Sequence, residues 1–219
     1  MARAAAGPAA PRVSAPDLPD ALDETDALEP DAEFAQARIR GLGERAQASR
    51  ALLSECLVDA TGVDRFDLTL ARLSDVDVTG LRAAEVVATR GTWRTVRVVG
   101  GRVGALELGR AELTSVELRG MRIDYLTLAG ATASDVRVVD CVIGTLDLPG
   151  ATLSRVRFED CRADEVDTRD LRAEHLDLRG LEAVAYTAPA GLRGATLAPR
   201  QVELLASDLA TALGIDVRC

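Results

Sequence analysis

Few side chains in this 219-residue chain could do covalent chemistry, and they are scattered. His175 is the only histidine. An imidazole acts as a general base when a nucleophile and an orienting group converge on it in a concavity. Nothing in the spacing around His175 indicates one, so it reads as a surface histidine. The four cysteines, Cys56, Cys141, Cys161 and Cys219, are spaced like neither a metal knuckle nor a disulfide framework. Should Cys141 and Cys161 converge, they supply two ligands where zinc takes four, so they read as small buried core residues, with Cys219 terminal and exposed. Trp93 follows Gly91 by two positions, and a large ring beside an absent side chain reads as packing compensation. No catalytic, metal or cofactor-binding residue is expected, and no cofactor.

The residues that recur in register are charged, and their chemistry is recognition. Arg82, Arg102, Arg122 and Arg162 stand at steps of 20, broken once by Val142. A second column holds Asp67, Glu107, Asp147 and Asp167. A third, Thr92, Glu112, Thr132 and Thr152, is mostly neutral, and a fourth, Asp77, Arg97, Glu117, Arg137, Arg157 and Asp177, mixes signs. One basic edge beside one acidic edge makes either a solvated surface or an electrostatically polarised binding face. The eight residues of the first two columns are the candidate interaction face.

Columns at steps of 20 follow from a shorter period. From Phe66 to Ala190 the chain repeats every five residues without insertion, through FDLTL, ARLSD, VDVTG and on to ATLSR and VRFED: 25 consecutive pentads, traceable back to Cys56. The first and third positions of each pentad are apolar. A helix advances about 100° per residue, so each pentad would turn the apolar pair about 140° away from the last. A straight strand fails as well, because an odd period alternates faces. A chain that turns a corner every five residues satisfies the pattern. Four such sides close a square coil with both apolar positions inward, which accounts for the step of 20. Like residues then stack: Val76, Val96, Val116, Val136, Val156 and Leu176 on one side; Ala71, Gly91, Ala111, Ala131 and Ala151 on another. Cys141 and Cys161 would stack in the same way. Gly80, Gly100, Gly120, Asp140 and Asp160 mark one corner with residues that tolerate turn geometry.

The pattern resembles the pentapeptide-repeat family over about 135 residues. ATLSR, AELTS, FDLTL and ARLSD match the family consensus well; VVATR, GTWRT and CRADE depart from it, and Asp fills the second position in only Asp67, Asp77, Asp147, Asp167 and Asp177. The resemblance implies an all-β fold, a right-handed quadrilateral parallel β-helix. It also implies that a C-terminal helix pairs two copies into a homodimer. Some bacterial members mimic B-form DNA, bind DNA gyrase and lower fluoroquinolone sensitivity. Duplex DNA carries one charge per about 1.7 Å of axis, and seven coils at about 4.8 Å would need about 20 negative charges. The array, residues 61–190, holds 21 acids and 17 Arg, net −4, so the DNA-mimic expectation is the weaker one. Abundant Ala, Arg, Asp and Gly, with no Lys or Asn, point to a high-GC genome of actinobacterial type.

Outside the array the sequence divides into three further segments. Residues 1–31 are Ala-, Pro- and acid-rich and read as a disordered tail. Residues 32–55 are an irregular lead-in with two pentads, AEFAQ and ARIRG, set one residue out of register, so residues 42–53 must absorb a break as a short helix or loop. The β-helix spans 56–190. Residues 191–219 form a cap with a helix near 199–213, opened by Pro199 and ended by Gly214, whose stripe is Val202, Leu205, Leu209 and Leu213. A bare solenoid end exposes strand edges, so a cap is required. Aromatic residues are only 3% against 47% hydrophobic, as suits a narrow core of small aliphatics. A net charge of −9 argues against direct nucleic-acid binding. No apolar run approaches the roughly 20 residues of a membrane span, and a cytoplasmic protein is expected. Two readings stand: an interaction module binding an unknown protein partner through a face, with DNA gyrase as one option, or a scaffold acting through its acidic N-terminal tail. A face-binder would keep its partner without residues 1–31, and a tail-binder would lose it.

Overall fold

The computed structural model describes residues 7–218, and they form a four-sided parallel β-coil closed at one end by a helix. Each side is one pentad. Within one turn Val76 and Val78, Leu81 and Ala83, Val86 and Ala88, then Gly91 and Trp93, all point inward and are buried. Successive turns stack in parallel at steps of 20, so Val76 pairs with Val96, and that column continues through Val116, Val136 and Val156 to Leu176. Cys219 lies outside the described residues. We number the faces in chain order: face 1 is 76–80, face 2 is 81–85, face 3 is 86–90 and face 4 is 91–95, and each recurs once per turn of the coil.

The corners differ in kind. Strands Arg72–Val87, Thr92–Glu107 and Glu112–Thr127 run across three corners without leaving the ladder. The corner from face 3 to face 4 is a closed β-turn. The Ala71 N–H donates to the Leu68 carbonyl at 2.9 Å, and Ala111, Ala131 and Ala151 repeat that bond. The residue before each is left-handed, with φ of 60° at Leu70, 57° at Arg90 and 64° at Gly130, as a type II turn requires. This turn explains the column of Ala and Gly that follows it. A Cβ added at Gly91 would sit 3.1 Å from the Ala71 carbonyl oxygen and 3.2 Å from that of Ala88, so the turn leaves little room for a larger side chain.

The ends depart from this regular step. Near the N-terminus Glu33 pairs with Leu52 and Arg38 with Leu57, a step of 19, whereas Arg45 pairs with Arg65. The missing residue falls between buried Leu42 and buried Ala46, where one side has four residues instead of five. The segment read as a helix or loop is therefore coil: Arg45–Gln47 and Leu52–Asp59 are strands. Its burial pattern survives the shortened side, so the ladder continues through it. The coil also begins before residue 32, since Asp23–Thr25 pairs with Ala37–Ile39. At the other end Leu176 pairs with Ala195, again 19, after a 3-10 turn over Pro189–Leu192.

Helix Pro199–Ala212 covers the last coil. Leu205 is buried and Leu209 packs against the core, but Val202 and Leu213 are exposed, so only half of the expected stripe faces inward. Gln201 joins helix to coil. Its side-chain oxygen accepts the Ala198 N–H at 2.6 Å, and its amide nitrogen donates to the Leu178 and Leu181 carbonyls, both at 2.8 Å. Among the described residues no helix is long and apolar enough to cross a membrane.

Residues 7–22, expected within the disordered tail, lie outside regular secondary structure yet are placed along the coil. The Arg12 N–H donates to Asp135 Oδ1 at 2.9 Å, Ser14 N–H to Ser115 Oγ at 3.1 Å, and Asp17 N–H to Asp75 Oδ1 at 3.4 Å. From Asp135 to Asp75 is three coils, about 14 Å at about 4.8 Å each. Five residues reach that far only when almost fully extended, at about 3.3 Å per residue. The segment is thus a strap running along the corner between faces 4 and 1, against the direction in which the coils stack.

Candidate interaction surface

The four faces spend their charges differently. On face 1 they neutralise one another. Arg97 pairs with Asp77; Glu117 with Arg119 at 2.9 Å and with Arg137 at 3.6 Å; Arg137 reaches Glu159 at 2.7 Å; Asp177 takes Arg157 at 3.3 Å and Arg179 at 2.7 Å. Asp77 and Asp177 are buried under these partners. The Arg179 hydrogen bond, opposed by burial, holds Asp177 below its ordinary carboxylate range. Face 1 is therefore a closed ion-pair ladder with little charge left for a partner.

Face 2 leaves its arginines more exposed. The side chains of Arg102, Arg122 and Arg162 are 63%, 61% and 74% exposed, and the acids they meet are exposed as well: Asp124 at 3.5 and 3.9 Å, and Glu182 at 3.4 Å. Arg82, also exposed, has no ion-pair partner among the described residues. Between the arginines the fourth pentad position is small. Ala84 and Gly104 leave an open groove of about 740 Å³ that Arg82, Gly101, Arg102 and Asp124 also line. A Cβ added at Gly104 would sit 2.5 Å from the Ala84 carbonyl oxygen, so the groove floor is bare backbone. The expected basic column thus stands as one exposed row above a shallow trough.

Face 3 splits the expected acidic column. Asp167 is buried and taken by Arg169 at 2.6 Å. Asp147 accepts the Tyr125 hydroxyl at 2.9 Å and the Thr127 hydroxyl at 2.8 Å, and burial, with that carboxylate, raises the Tyr125 phenol above its ordinary range. Asp67 accepts the Thr69 N–H at 2.9 Å. Glu107 has no ion-pair partner among the described residues. The acids and arginines occupy adjacent faces, but they are not equivalent: the arginine row is open, and the acid column is largely committed to its own coil.

The single residues behave as core or corner. Trp93 is buried and its Nε1 has no hydrogen-bond partner. Cys141 and Cys161 are buried in one column, with thiols donating to the Val139 and Glu159 carbonyls at 3.3 and 3.2 Å. The hydrogen bond with Cys161, then burial, pushes the Cys141 thiol up. His175 occupies a left-handed corner with φ of 57°, 3.8 Å from Glu174. Among the described residues no group of three or more His, Cys, Asp or Glu is placed to hold a metal.

Sequence reasoning missed the strap and its seat. Asp75, Thr95, Ser115 and Asp135 share the corner between faces 4 and 1, all left-handed. From 75 to 175 every residue of this corner is at least half-buried, whereas the corner at 70, 90, 110, 130, 150 and 170 is exposed throughout. Within the strap, Pro11, Val13, Pro16 and Leu18 are half-buried while Arg12, Ser14, Ala15 and Asp17 are exposed. That near-alternation was the available signal, hidden by a composition typical of disorder.

No protein-family model matches the chain, and no curated protein matches it. Among solved structures, a trypsin-treated variant of QnrB1, described as a plasmid-mediated fluoroquinolone resistance protein, aligns over 89% of this chain and 100% of its own, at 15% sequence identity and a TM-score of 0.28. A superposition that loose carries no functional argument. The five-residue register and the regular coil-to-coil pairing at steps of 20 define the fold of this chain as a four-sided parallel β-solenoid of five-residue repeats.

Proposed function

We propose that the protein is a non-enzymatic interaction module that takes an acidic segment of a protein partner along face 2. The observation that carries this is the open arginine row of Arg82, Arg102, Arg122 and Arg162 beside a groove floored by backbone. Guanidinium groups stacked at the coil spacing of about 4.8 Å offer a series of sites for the carboxylates of an acidic segment, and each such pair is bidentate-capable. Electrostatic complementarity of this kind sets partner choice and association rate more than raw affinity. A cytoplasmic setting belongs to the same reading, with Cys56, Cys141 and Cys161 as buried thiols.

The DNA-mimic reading asks the opposite of this surface. It needs an unbroken anionic face, whereas face 1 is internally paired and face 2 interleaves its four arginines with Glu85, Asp124, Asp164, Glu165 and Glu182. Self-association through the C-terminal end has a specific observation in its favour: Leu204, Leu213, Ile215 and Val217 are 73%, 77%, 55% and 61% exposed. We propose that a second copy covers them.

A photo-reactive residue placed at Ala84 tests the main reading in the producing cell. A discrete cross-linked product is expected, lost when Arg82→Glu and Arg102→Glu are added and absent when the probe sits at Leu70 on the far corner. Equal products from both positions, or survival after charge reversal, would sink it.

A further inference from the structure

We propose that the corner between faces 4 and 1 is a docking track for extended, proline-bearing peptide segments of protein partners, and that residues 8–19 are its built-in occupant. The track has three fixed acceptors. Asp75, Ser115 and Asp135 each receive one backbone N–H from the strap. Recognition through main-chain donors is independent of side-chain identity, so a second peptide of the same backbone shape can make the same bonds. Asp135 is preset for this: Arg155 grips it from the coil at 2.7 Å, Nε to Oδ1 and Nη2 to Oδ2, and the Oδ1 so oriented also accepts the Arg12 N–H.

The strap also shows which ligand chemistry fits. Prolines at 8, 11, 16 and 19 each restrict the backbone to one φ well, and Pro16 removes a donor between the Ser14 and Asp17 N–H groups that bond. Half-buried Val13 and Leu18 point the apolar side of the segment at the coil. A ligand therefore needs a proline-spaced, extended backbone with free N–H groups about two to three residues apart and small apolar residues between them. The strap contributes no ladder bonds of its own, and its few hydrogen bonds to the coil include one 3.4 Å long. Such a segment opens without disturbing the core, as few-contact segments do.

This corner lies diagonally across the coil from the junction of faces 2 and 3, so it can fail as a track while the arginine row stands, and the reverse. The test uses a fluorescein-labelled synthetic peptide of residues 7–20 and two full-length proteins. One is the native chain; in the other, residues 8–19 are replaced by a Gly-Ser run of equal length. The opened protein is expected to bind the peptide saturably, and the native chain about tenfold or more weaker, because its site is filled intramolecularly. Asp135→Ala in the opened protein should cost about tenfold, and a peptide carrying Val13→Asp and Leu18→Asp should cost at least as much. No saturable binding by the opened protein, or equal binding by both, overturns the proposal. Should the opened protein fail to fold, Asp135→Ala in the native chain decides. Faster hydrogen exchange across residues 9–18, with the coil unchanged, is expected, and unchanged exchange there overturns it.

Discussion

Trp93 and Gly91 share one side of one coil, and each explains the other. The turn that precedes Gly91 presses backbone against it, so the widest ring in the chain takes the space left inside. Its unpartnered Nε1 is the cost of using an indole where no acceptor faces it. The same turn places a burden on its left-handed residue. Leu70 holds φ of 60° and is 42% exposed, whereas Gly130 and Gly150 fill equivalent positions. A side chain in that region costs about 1–2 kcal/mol, partly offset by the entropy a glycine loses. Leu70→Gly should therefore raise stability by about 0.5–1 kcal/mol, and Gly150→Leu should lower it similarly. Urea unfolding followed by circular dichroism reads both, and opposite signs would refute the turn assignment.

At the scale of elements, the C-terminal helix is held less by its apolar stripe than by Gln201. A solenoid end leaves carbonyls without the next coil to bond; this side chain serves that of Leu181 and adds a second bond to that of Leu178, which also accepts the Leu181 N–H. Gln201→Ala should cost about 1–3 kcal/mol through unsatisfied groups and speed hydrogen exchange in residues 176–187, leaving residues 96–127 protected. Uniform exchange would mean the helix caps by packing alone. The strap is an element too, and its pH dependence follows from Asp135. The Arg155 hydrogen bonds, opposed by burial and aided by the Arg12 N–H, hold that carboxyl below its ordinary range. A depressed folded pKa contributes stability that is present above the unfolded value of about 3.9 and lost as pH falls through the folded one. The Arg12 amide resonance should hence stay fixed from neutrality through mild acid and move only in strong acid. Movement between about pH 5 and 7, the range of histidine titration, would show that Asp135 is not the anchor.

At the scale of the whole molecule, width and charge point to different functions. A square coil is about as wide as a duplex, but mimicry also needs charge density, and the array's net −4 falls far short of it. Purified protein should leave gyrase supercoiling unchanged even in molar excess. Inhibition that disappears with Asp67→Arg and Glu107→Arg would restore the DNA-mimic reading and move the functional face from 2 to 3. Light scattering on the same sample tests self-association. A dimer reduced to monomer by Leu204→Glu and Leu213→Glu is expected, because these side chains stand outside the packed half of the helix.

The five-residue period determined the coil, its columns and its register, because inward or outward pointing is a local property that repeats with the chain. Even the slipped registers were legible: AEFAQ and ARIRG stand one residue off, and the shortened side between Leu42 and Ala46 is where the difference is absorbed. What became of the outward charges was not. Asp77, Asp167 and Glu107 occupy like positions in their pentads, yet two are buried against arginines and one is not. The neighbours that decide this come from the next coil or from the fourth position, not from the column itself. Least legible was the strap. Arg12 meets Asp135 across 123 residues, and no local pattern encodes a contact made only once the coil exists to offer its corner. The sequence alone set the geometry of the repeat; the tertiary structure decided which of its edges are open, which are paired and which are already occupied.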